Sequence, residues 1–360
     1  MSASVKVSIV IPIKGRPELF ELTAKSIRNQ TFCDWEAIVV DDHSGEEDRK
    51  RISAIASGDQ RMRVVANPNP RRGAASCRNA GMSLSTGEYV IFLDADDALF
   101  PGCLARRVHT MEQNPAVDFA AFASWMFHNE PGDSKKLWNG FNEDDDLHRF
   151  LRIDAPWPTH GPIWRKASLA RAGLLWDERA RSWQDWEFHI RALVVGLRYI
   201  KMPEPDCFFR AARPGSVSHA SFSASKVVNR ARVLARLAAF FEMRGAATVT
   251  NRRLLAAQFF RHAFGSGLRR QKAFGVWRMA YRANLVSRFE FYTVLFSRAL
   301  VWLTARTSRA LERFVLPELP SLHAGTHLTA TAPWLRKSAG DQPMPTSFPE
   351  KVPDEVVRVS

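Results

Sequence analysis

Short apolar runs alternate with segments of helical spacing over the first hundred residues. Residues 7–11, 35–40 and 88–93 are short and rich in β-branched or aromatic side chains, as expected for buried parallel strands. Residues 18–29 and 46–56, which lie between these runs, are predicted to be helices. Repeated alternation of strands and helices predicts an α/β fold with a mostly parallel sheet covered by helices on both faces.

The alternation continues to about residue 220. Further strands are predicted at residues 63–66 and 117–125 and around Tyr199 and Phe208, and further helices at residues 75–84, 104–113 and 185–197 and from Ala167. Regular structure of unassigned type is expected to resume at residues 163–165. The composition turns polar and acidic over residues 129–158. Because it lacks regular spacing, this stretch is predicted to be a long exposed loop.

The last third of the chain is predicted to be helical and then irregular. Helical spacing extends from residue 225 to about 315, with breaks near Gly245, Gly265 to Gly267 and Asn284, and prolines are frequent beyond residue 316. We therefore divide the chain into an α/β domain (1–220), a basic helical region (221–315) and a proline-rich flexible tail (316–360).

The net charge of +14 is confined to one block. Residues 1–220 contain equal numbers of basic and acidic side chains, whereas residues 221–320 contain 18 Lys and Arg against 4 Asp and Glu. Such a region attracts anionic lipid head groups or nucleic acid. Its aromatic residues stand among Ala and Leu at helical spacing, which favours contact with an anionic membrane surface over base stacking, so no nucleic-acid partner is expected.

The cysteines and the apolar segments bear on the cellular compartment. Four scattered cysteines without CxxC spacing indicate neither a zinc site nor a disulfide framework, and fit a reducing cytosol. No signal peptide is expected before the first strand. The apolar residues 285–305 are interrupted by Arg288, Glu290 and Arg298, which predicts a surface or packed helix. The expected location is the cytoplasm, with peripheral contact to the cytoplasmic face of the membrane.

Two acidic pairs follow predicted strands. Asp41 and Asp42 come directly after residues 35–40, and Asp94 and Asp96 come directly after residues 88–93. In an open parallel sheet the ligand crevice lies just beyond the carboxyl ends of the strands. Clustered carboxylates repel one another unless a cation or hydrogen-bond donors compensate them, and a hard divalent ion that carries phosphate oxygens is the usual compensation. The pattern predicts a site for a metal-bound nucleotide.

Six short motifs follow one another along the chain. They are residues 8–12 (SIVIP), 26–32 (SIRNQTF), 39–44 (VVDDHS), 78–81 (RNAG), 87–97 (GEYVIFLDADD) and 183–188 (WQDWEF). In their order and spacing, they resemble the motifs of the family 2 inverting glycosyltransferases of the GT-A fold. The resemblance covers about residues 5–220. It implies a GT-A type sheet that binds a nucleotide-sugar, followed here by the basic helical region.

The resemblance also implies roles for individual residues. Asp42 would bind the nucleotide base, with Asp41 beside it. Asp94 and Asp96 match a DxD element, in which Asp96 binds Mg²⁺ or Mn²⁺ and Asp94 helps to hold the ribose or the metal. We expect both side chains to face one ion because residues alternate along an extended segment. The remaining expected contacts to the nucleotide-sugar are Pro12, Gly73 and Arg78.

Asp185 is the candidate general base. A positioned carboxylate can take the proton of the acceptor hydroxyl as that hydroxyl attacks the anomeric carbon. Gln184 stands where relatives usually carry Glu, which affects the expected acceptor contact and leaves the base in place. Trp183 and Trp186 could pack against a sugar, and His160 could line the acceptor pocket. Relatives often have a metal-assisting histidine near residue 210, for which the candidates here are Arg210, Arg213 and His219.

Simpler structural roles remain open for several of these residues. Asp41, Asp42, Asp97 and Asp185 could each cap a turn or a helix, as acids often do. His160 could be a structural histidine in a loop.

The predicted function is inverting transfer of a hexosyl or N-acetylhexosaminyl group from a nucleoside-diphosphate donor, a UDP-sugar, to a hydroxyl of a glycan or lipid-linked acceptor. A dehydrogenase is disfavoured because residues 12–17 lack GxGxxG. A sugar nucleotidyltransferase shares the alternating architecture and the acidic site, but a Gly-rich phosphate loop after the first strand would be expected. A non-enzymatic protein that binds nucleic acid or membranes is the remaining alternative.

Overall fold

The computed structural model of the protein describes residues 5–134, 136–211 and 223–304, with side-chain surroundings given up to residue 299. The strands are β1 (Val7–Ile13), β2 (Trp35–Asp41), β3 (Met62–Ala66), β4 (Tyr89–Phe92), β5 (Ala98–Leu99), β6 (Phe119–Phe127), β7 (Pro162–Arg165) and β8 (Tyr199–Arg210). The helices are α1 (Pro17–Arg28), α2 (Glu46–Ala56), α3 (Ala74–Leu84), α4 (Cys103–Gln113), α5 (Asp146–Leu151), α6 (Lys166–Arg171), α7 (Gln184–Val194), α8 (Ala224–Met243), α9 (Val249–Phe264), α10 (Arg270–Arg282) and α11 (Arg288–Thr304).

All eight strands belong to one sheet, in the order β3-β2-β1-β4-β7-β6-β8-β5. β1 pairs in parallel with both β2 and β4, β2 pairs in parallel with β3, and β6 pairs in parallel with β8. β7 and β5 run antiparallel to their neighbours. The predicted α/β fold with a mostly parallel sheet is confirmed. Because β1, β2, β3 and β4 run in the same direction, their carboxyl ends meet at one edge of the sheet.

Buried apolar strands explain why this sheet forms. Every residue of β2 is buried, and so is every residue of β4 and β6. Such continuous burial is typical of strands that are covered on both faces. The helices that were predicted between the strands begin and end mostly within two residues of the expected bounds, because amphipathic spacing and the flanking breakers mark them directly.

Two sequence predictions in this domain are wrong. Residues 129–158 are not simply an exposed loop, because α5 lies within them and Phe150, Leu151 and Trp157 are almost completely buried. The two strands that were predicted around Tyr199 and Phe208 are the single strand β8. The register of β8 against β6 shifts between Phe122 and Ser124, opposite a segment of β8 that contains two prolines without backbone N–H groups.

The carboxy-terminal helices share a hydrophobic core with the α/β domain. One cluster of buried side chains contains Phe92, Trp164 and Phe188 of the domain together with residues of α8, α9 and α10, among them Leu234, Phe259 and Trp277. The predicted helix breaks near Gly245, Gly265 and Asn284 are found. Gly245 has a φ of 68°, which glycine adopts without strain and which ends α8. The predicted tail beyond residue 316 lies outside the described residues.

Among the described helices, none is both long enough and apolar enough to cross a bilayer. All four cysteines are free thiols.

Candidate active site

Asp41 holds the turn that follows β2. It is 2% exposed, and its Oδ1 accepts hydrogen bonds from the Ser44 backbone N–H at 3.0 Å and from the Ser44 hydroxyl. Its Oδ2 lies 3.1 Å from Arg49 Nε. Both oxygens are therefore engaged within the protein. This is the turn-capping role that the sequence left open, and a contact between Asp41 and a nucleotide stays a prediction.

Asp42 lies where three strand ends meet. Its Oδ1 accepts a hydrogen bond of 3.0 Å from Asn67 Nδ2, and the same amide donates to the hydroxyl of Ser76 at 2.8 Å. Lys14 Nζ lies 3.9 Å from the second oxygen of Asp42. Asn67 follows β3 directly, so it joins the end of β3 to the end of β2 and to the start of α3. The sequence analysis missed Asn67, although a polar residue directly after a third parallel strand was a usable signal.

The first turn of α3 borders the same edge. Gly73 precedes α3 with a φ of 127°, in a region that favours glycine. The first N–H groups of a helix lack intrahelical partners and suit phosphate oxygens. Pro12 is half buried near the carboxyl end of β1, opposite Val40. The predicted contacts of Gly73 and Pro12 with a nucleotide-sugar stay predictions.

The DxD element forms a tight turn. The Asp97 N–H donates to the Asp94 carbonyl at 3.1 Å, and the regular strand β4 already ends at Phe92. The expectation that Asp94 and Asp96 alternate along an extended segment is therefore wrong, because the chain reverses after β4 to reach β5. Asp94 and Asp96 are partly exposed, whereas Asp97 is buried.

Arg78 reaches the DxD turn from α3. This residue is 1% exposed, donates a hydrogen bond to Asp94 Oδ1, and places its guanidinium carbon 4.4 Å from the centre of the Trp176 ring. Its Nε and Nη1 are buried and have no hydrogen-bond partner among the described residues. Buried donors without partners are costly, so this guanidinium is suited to oxygens of a bound ligand.

The surroundings of Asp96 test whether a metal ion would fit. Burial raises the pKa of Asp96 to about 7, with further contributions from the neighbouring charges of Asp97 and Asp94. The charge of Arg210 lowers the pKa of Asp96, but by less than burial and the two acids raise it. Such a carboxylate has too little positive charge near it, and a hard divalent cation would supply it. Among the described residues no three His, Cys, Asp or Glu side chains are grouped as ligands of one ion. The donors fit an ion held by one or two carboxylates and by phosphate oxygens.

Asp97 and His160 form a buried pair behind the turn. His160 Nδ1 lies 2.8 Å from Asp97 Oδ2, and the two side chains are 0% and 2% exposed. The imidazole Nε2 lies 3.3 Å from the Ser124 hydroxyl. The side chain is enclosed among Asp97, Ser124 of β6 and Phe209 of β8. This is the structural role that the sequence left open, and the place of His160 in the acceptor pocket stays a prediction.

Arg210 fastens the DxD turn to the end of β8. Its backbone N–H donates to Asp97 Oδ1 at 2.7 Å, and its Nε donates to the Asp96 carbonyl at 2.8 Å. Arg210, one of the three candidates for the metal-assisting role, therefore contacts the backbone of the predicted metal-binding acid. The other two candidates for that role, Arg213 and His219, lie outside the described residues.

Asp185 lies in the first turn of α7, close to the Arg78–Asp94 pair. Burial raises the pKa of Asp185 above the ordinary carboxyl value, and the charge of Asp94 adds to the rise. The backbone N–H of Trp186 and the charge of the Arg78 guanidinium lower this pKa, but by less than the rise. Thr159 Oγ1 lies 3.5 Å from Asp185 Oδ2. A carboxylate with a raised pKa is a stronger proton acceptor than an ordinary one. Asp42 and Asp94 thus lie just beyond the ends of parallel strands, and the charge of Asp185 on α7 interacts with the charges of Asp94 and Arg78.

The two tryptophans that flank Asp185 differ in their surroundings. Trp183 is half buried and has a φ of 63°, an uncommon backbone conformation for a bulky residue. Trp186 is 6% exposed, and its indole N–H donates to the Phe150 carbonyl at 2.6 Å. The ring of Trp186 belongs to the core, and its predicted acceptor contact stays a prediction. Trp183 remains a candidate.

The carboxy-terminal helices bring two further residues to this place. Arg230 of α8 lies with its guanidinium carbon 4.8 Å from the centre of the Trp183 ring, and its Nε lies 3.3 Å from the Ser182 hydroxyl. The imidazole of His262 on α9 packs against the Trp183 ring, with 4.8 Å between the two centroids. The charges of Arg230 and Asp185 interact directly. The sequence analysis missed both residues, because it treated residues 221–315 as separate from the site and no local signal links the segments.

Comparison with known sequences decides the family. Residues 8–169 match the profile described as Glycosyl transferase family 2. This part of the chain belongs to glycosyl transferase family 2. The resemblance that was noted in the motifs is thereby confirmed, and so is the GT-A type fold.

Two curated relatives of the glycosyltransferase domain carry specific names. The chain is 32% identical over 146 residues to the GalNAc(5)-diNAcBac-PP-undecaprenol beta-1,3-glucosyltransferase of Campylobacter jejuni, which covers 40% of this chain and 46% of that protein. It is 30% identical over 108 residues to the UDP-Glc:alpha-D-GlcNAc-diphosphoundecaprenol beta-1,3-glucosyltransferase WfgD of Escherichia coli, which covers 30% of this chain and 42% of that protein. The chain therefore spans less than half of the length of either relative.

Among solved structures, residues 1–349 of S. aureus TarS in complex with UDP-GlcNAc have the same fold as this chain. The TM-score is 0.62 at 17% identity, and the match covers 88% of this chain and 91% of that one. At this identity the likeness concerns the fold alone. It extends beyond the family match at residue 169 into the carboxy-terminal helices.

Replacing Asp96 with asparagine should stabilise the metal-free protein at neutral pH. The folded-state pKa of Asp96, about 7, lies above the ordinary carboxyl value of 3.8, so ionising this group costs stability as the pH rises between these values. We expect the variant to raise the midpoint of thermal unfolding by about 2 °C or more at pH 7.5 with a chelator present, and the gain to shrink towards pH 4. Differential scanning fluorimetry measures both.

Added Mn²⁺ or Mg²⁺ should raise the unfolding midpoint of the wild type more than that of Asp96→Asn. Asp144, an exposed acid remote from the turn, gives the matched control Asp144→Asn. Equal shifts in all three proteins would contradict the role of Asp96.

Proposed function

We propose that the protein transfers a sugar from a nucleoside-diphosphate donor, a UDP-sugar, to a hydroxyl of a lipid-linked glycan, with inversion at the anomeric carbon. The observation that carries this proposal is the proximity of Asp185 to the Arg78–Asp94 pair at the carboxyl edge of the sheet. A partly exposed acid with a raised pKa thus stands beside the place where we expect the donor to bind. This arrangement supports attack by an acceptor hydroxyl on the sugar.

The donor is held at the strand ends. Asp42, fixed by Asn67, accepts hydrogen bonds from the base or the ribose. The two unpartnered nitrogens of Arg78 and the first N–H groups of α3 bind diphosphate oxygens. Asp96 and the second oxygen of Asp94 would hold Mg²⁺ or Mn²⁺, which neutralises charge on the leaving diphosphate.

Asp185 takes the proton of the acceptor hydroxyl as the hydroxyl attacks. The carboxylate must be ionised to do so, and its raised pKa makes it a better base than an ordinary aspartate. Attack from the face opposite the leaving diphosphate inverts the anomeric centre. Trp183, supported by Arg230, provides an indole beside Asp185 against which the acceptor sugar packs.

The names of the relatives guide the choice of donor and acceptor. The C. jejuni and E. coli relatives are both named as β-1,3-glucosyltransferases that act on undecaprenyl diphosphate-linked sugars, and the E. coli relative is named for UDP-Glc. We extend to this chain only the shared class, which is a UDP-sugar donor and an acceptor linked to a lipid by diphosphate. The synthesis of an envelope glycan is the process that uses such substrates.

A screen of UDP-sugars with a synthetic lipid diphosphate-linked acceptor tests the proposal. We expect one UDP-sugar to release UDP in proportion to the glycosylated product, with activity lost on chelation and restored by Mn²⁺ or Mg²⁺. A sugar nucleotidyltransferase would instead consume a nucleoside triphosphate and a sugar phosphate and release pyrophosphate. Turnover of that kind, or no transfer with any nucleotide-sugar and acceptor, would overturn the proposal.

A further inference from the structure

Helix α11 exposes three aromatic side chains on one face. Phe289, Tyr292 and Phe296 are 72%, 57% and 68% exposed, and their spacing of three and four residues puts them in a row along the helix. Phe291 and Val294 of the same helix face the core instead. Large aromatic side chains are rarely left in water as a group, so this row marks a contact surface.

The row continues onto helix α10 through a shared neighbour. The ring of Phe291 lies 5.0 Å from that of Tyr281, 5.3 Å from that of Tyr292 and 6.2 Å from that of Phe274, measured between centroids. Phe274 and Tyr281 are each 39% exposed. We call the five exposed residues Phe274, Tyr281, Phe289, Tyr292 and Phe296 the aromatic face.

Positive charge surrounds the aromatic face. Lys272, Arg278, Arg282 and Arg288 are exposed, and the guanidinium carbons of Arg278 and Arg288 lie 5.8 and 5.9 Å from the rings of Phe274 and Tyr292. The described helices, residues 223–304, contain 15 Lys and Arg but only two acids, Glu242 and Glu290. Both acids form ion pairs with arginines, Glu242 with Arg252 at 2.7 Å and Glu290 with Arg253.

We propose that the aromatic face docks the protein on the surface of an anionic lipid bilayer. Aromatic rings enter the boundary between head groups and acyl chains, while the neighbouring arginines and lysine meet the lipid phosphates. A second copy of the chain would bring the same positive charges together, which disfavours self-association through this face. The inference rests on the proposed function in one respect, since a lipid-linked acceptor lies in that same surface.

Vesicle co-sedimentation of the full-length protein tests the docking. We expect binding to vesicles that contain phosphatidylglycerol, weaker binding to pure phosphatidylcholine, and a loss of binding as salt is raised. The triple variant Phe289→Ser, Tyr292→Ser, Phe296→Ser should lose about tenfold in partition coefficient, because the rings no longer bury apolar area. The triple variant Arg278→Glu, Arg282→Glu, Arg288→Glu should lose at least about fivefold for each charge that is removed.

Matched controls lie on the α/β domain. Leu84 and Leu175 are exposed apolar residues, 44% and 56%, so Leu84→Ser with Leu175→Ser removes apolar surface elsewhere. Lys25, Arg51 and Arg106 are exposed basic residues, and their replacement by glutamate matches the change in net charge. Both controls should bind anionic vesicles at least about fivefold better than the corresponding aromatic-face variants.

Three results would overturn the docking proposal. The first is equal binding of the wild type and the serine variant to anionic vesicles. The second is a dimer in sedimentation velocity that the serine variant abolishes while vesicle binding is absent. The third is binding to RNA in preference to anionic vesicles. None of these measurements needs a sugar donor, so failure of the docking can be told apart from failure of the proposed transferase activity, which is scored by UDP release.

Discussion

Replacing Asp185 with asparagine should lower kcat of sugar transfer by about 10²- to 10⁴-fold, the range expected for the loss of a general base. Asparagine keeps the shape of the side chain and cannot accept a proton. The protein should still bind the UDP-sugar with little change in Kd, because the donor contacts assigned to Asp42 and Arg78 are made by other elements. Steady-state kinetics combined with calorimetric binding of the donor separates the two effects.

The pH profile gives a second readout of the same change. The pKa of Asp185 is raised by burial, so wild-type activity should fall as the pH drops through a value above the ordinary 3.8 of a carboxyl, where the base becomes protonated. The residual activity of Asp185→Asn should lack that acidic limb. Asp144→Asn, which alters an exposed acid, is the control and should behave like the wild type. A variant at position 185 that keeps activity within a few-fold of the wild type would rule out the base.

The sheet and its helices could be predicted because each element carries its own local signal. Residues 35–40 and 46–56 are examples. The apolar and β-branched residues at 35–40 predict the buried strand, and the acidic start and spaced apolar residues at 46–56 predict the helix. The strand-end position of Asp42 was predictable for the same reason. It follows from topology alone that residues after parallel strands line one edge.

Contacts between distant segments could not be predicted in this way. His160 reads as a loop residue in sequence and proves to be buried against Asp97, with Ser124 of β6 and Phe209 of β8 beside it. Trp186 is in the core because α5 supplies a carbonyl acceptor for its indole N–H. Arg230 reaches Trp183 only through the packing of α8 on α7. Each of these positions depends on which helices and strands pack against one another. The residue type alone is compatible with a buried place and with an exposed one.

The strongest stability effect should follow from replacing Asp206 with alanine. Arg107 and Asp206 form a fully enclosed pair, with side chains 0% and 2% exposed and two hydrogen bonds of 2.8 and 2.7 Å. Arg107 also donates to the His160 carbonyl at 2.7 Å, so the pair lies directly below the Asp97–His160 contact. Alanine would leave the guanidinium buried without its partner, which should cost about 3–5 kcal/mol in the free energy of unfolding.

Urea denaturation measures this cost, and a surface pair provides the comparison. Glu46 and Lys50 are 3.0 Å apart but 81% and 68% exposed, so Glu46→Ala should change the free energy of unfolding by about 1 kcal/mol or less. Replacing both buried partners, as Arg107→Met with Asp206→Leu, should recover most of the loss, because no uncompensated charge remains. If Asp206→Ala and Glu46→Ala lowered the free energy of unfolding equally, water would have to reach the Arg107 guanidinium. Since the backbone of β8 that follows Asp206 pairs with β5 just after the DxD turn, Asp206→Ala should also weaken donor binding, whereas Glu46→Ala should not.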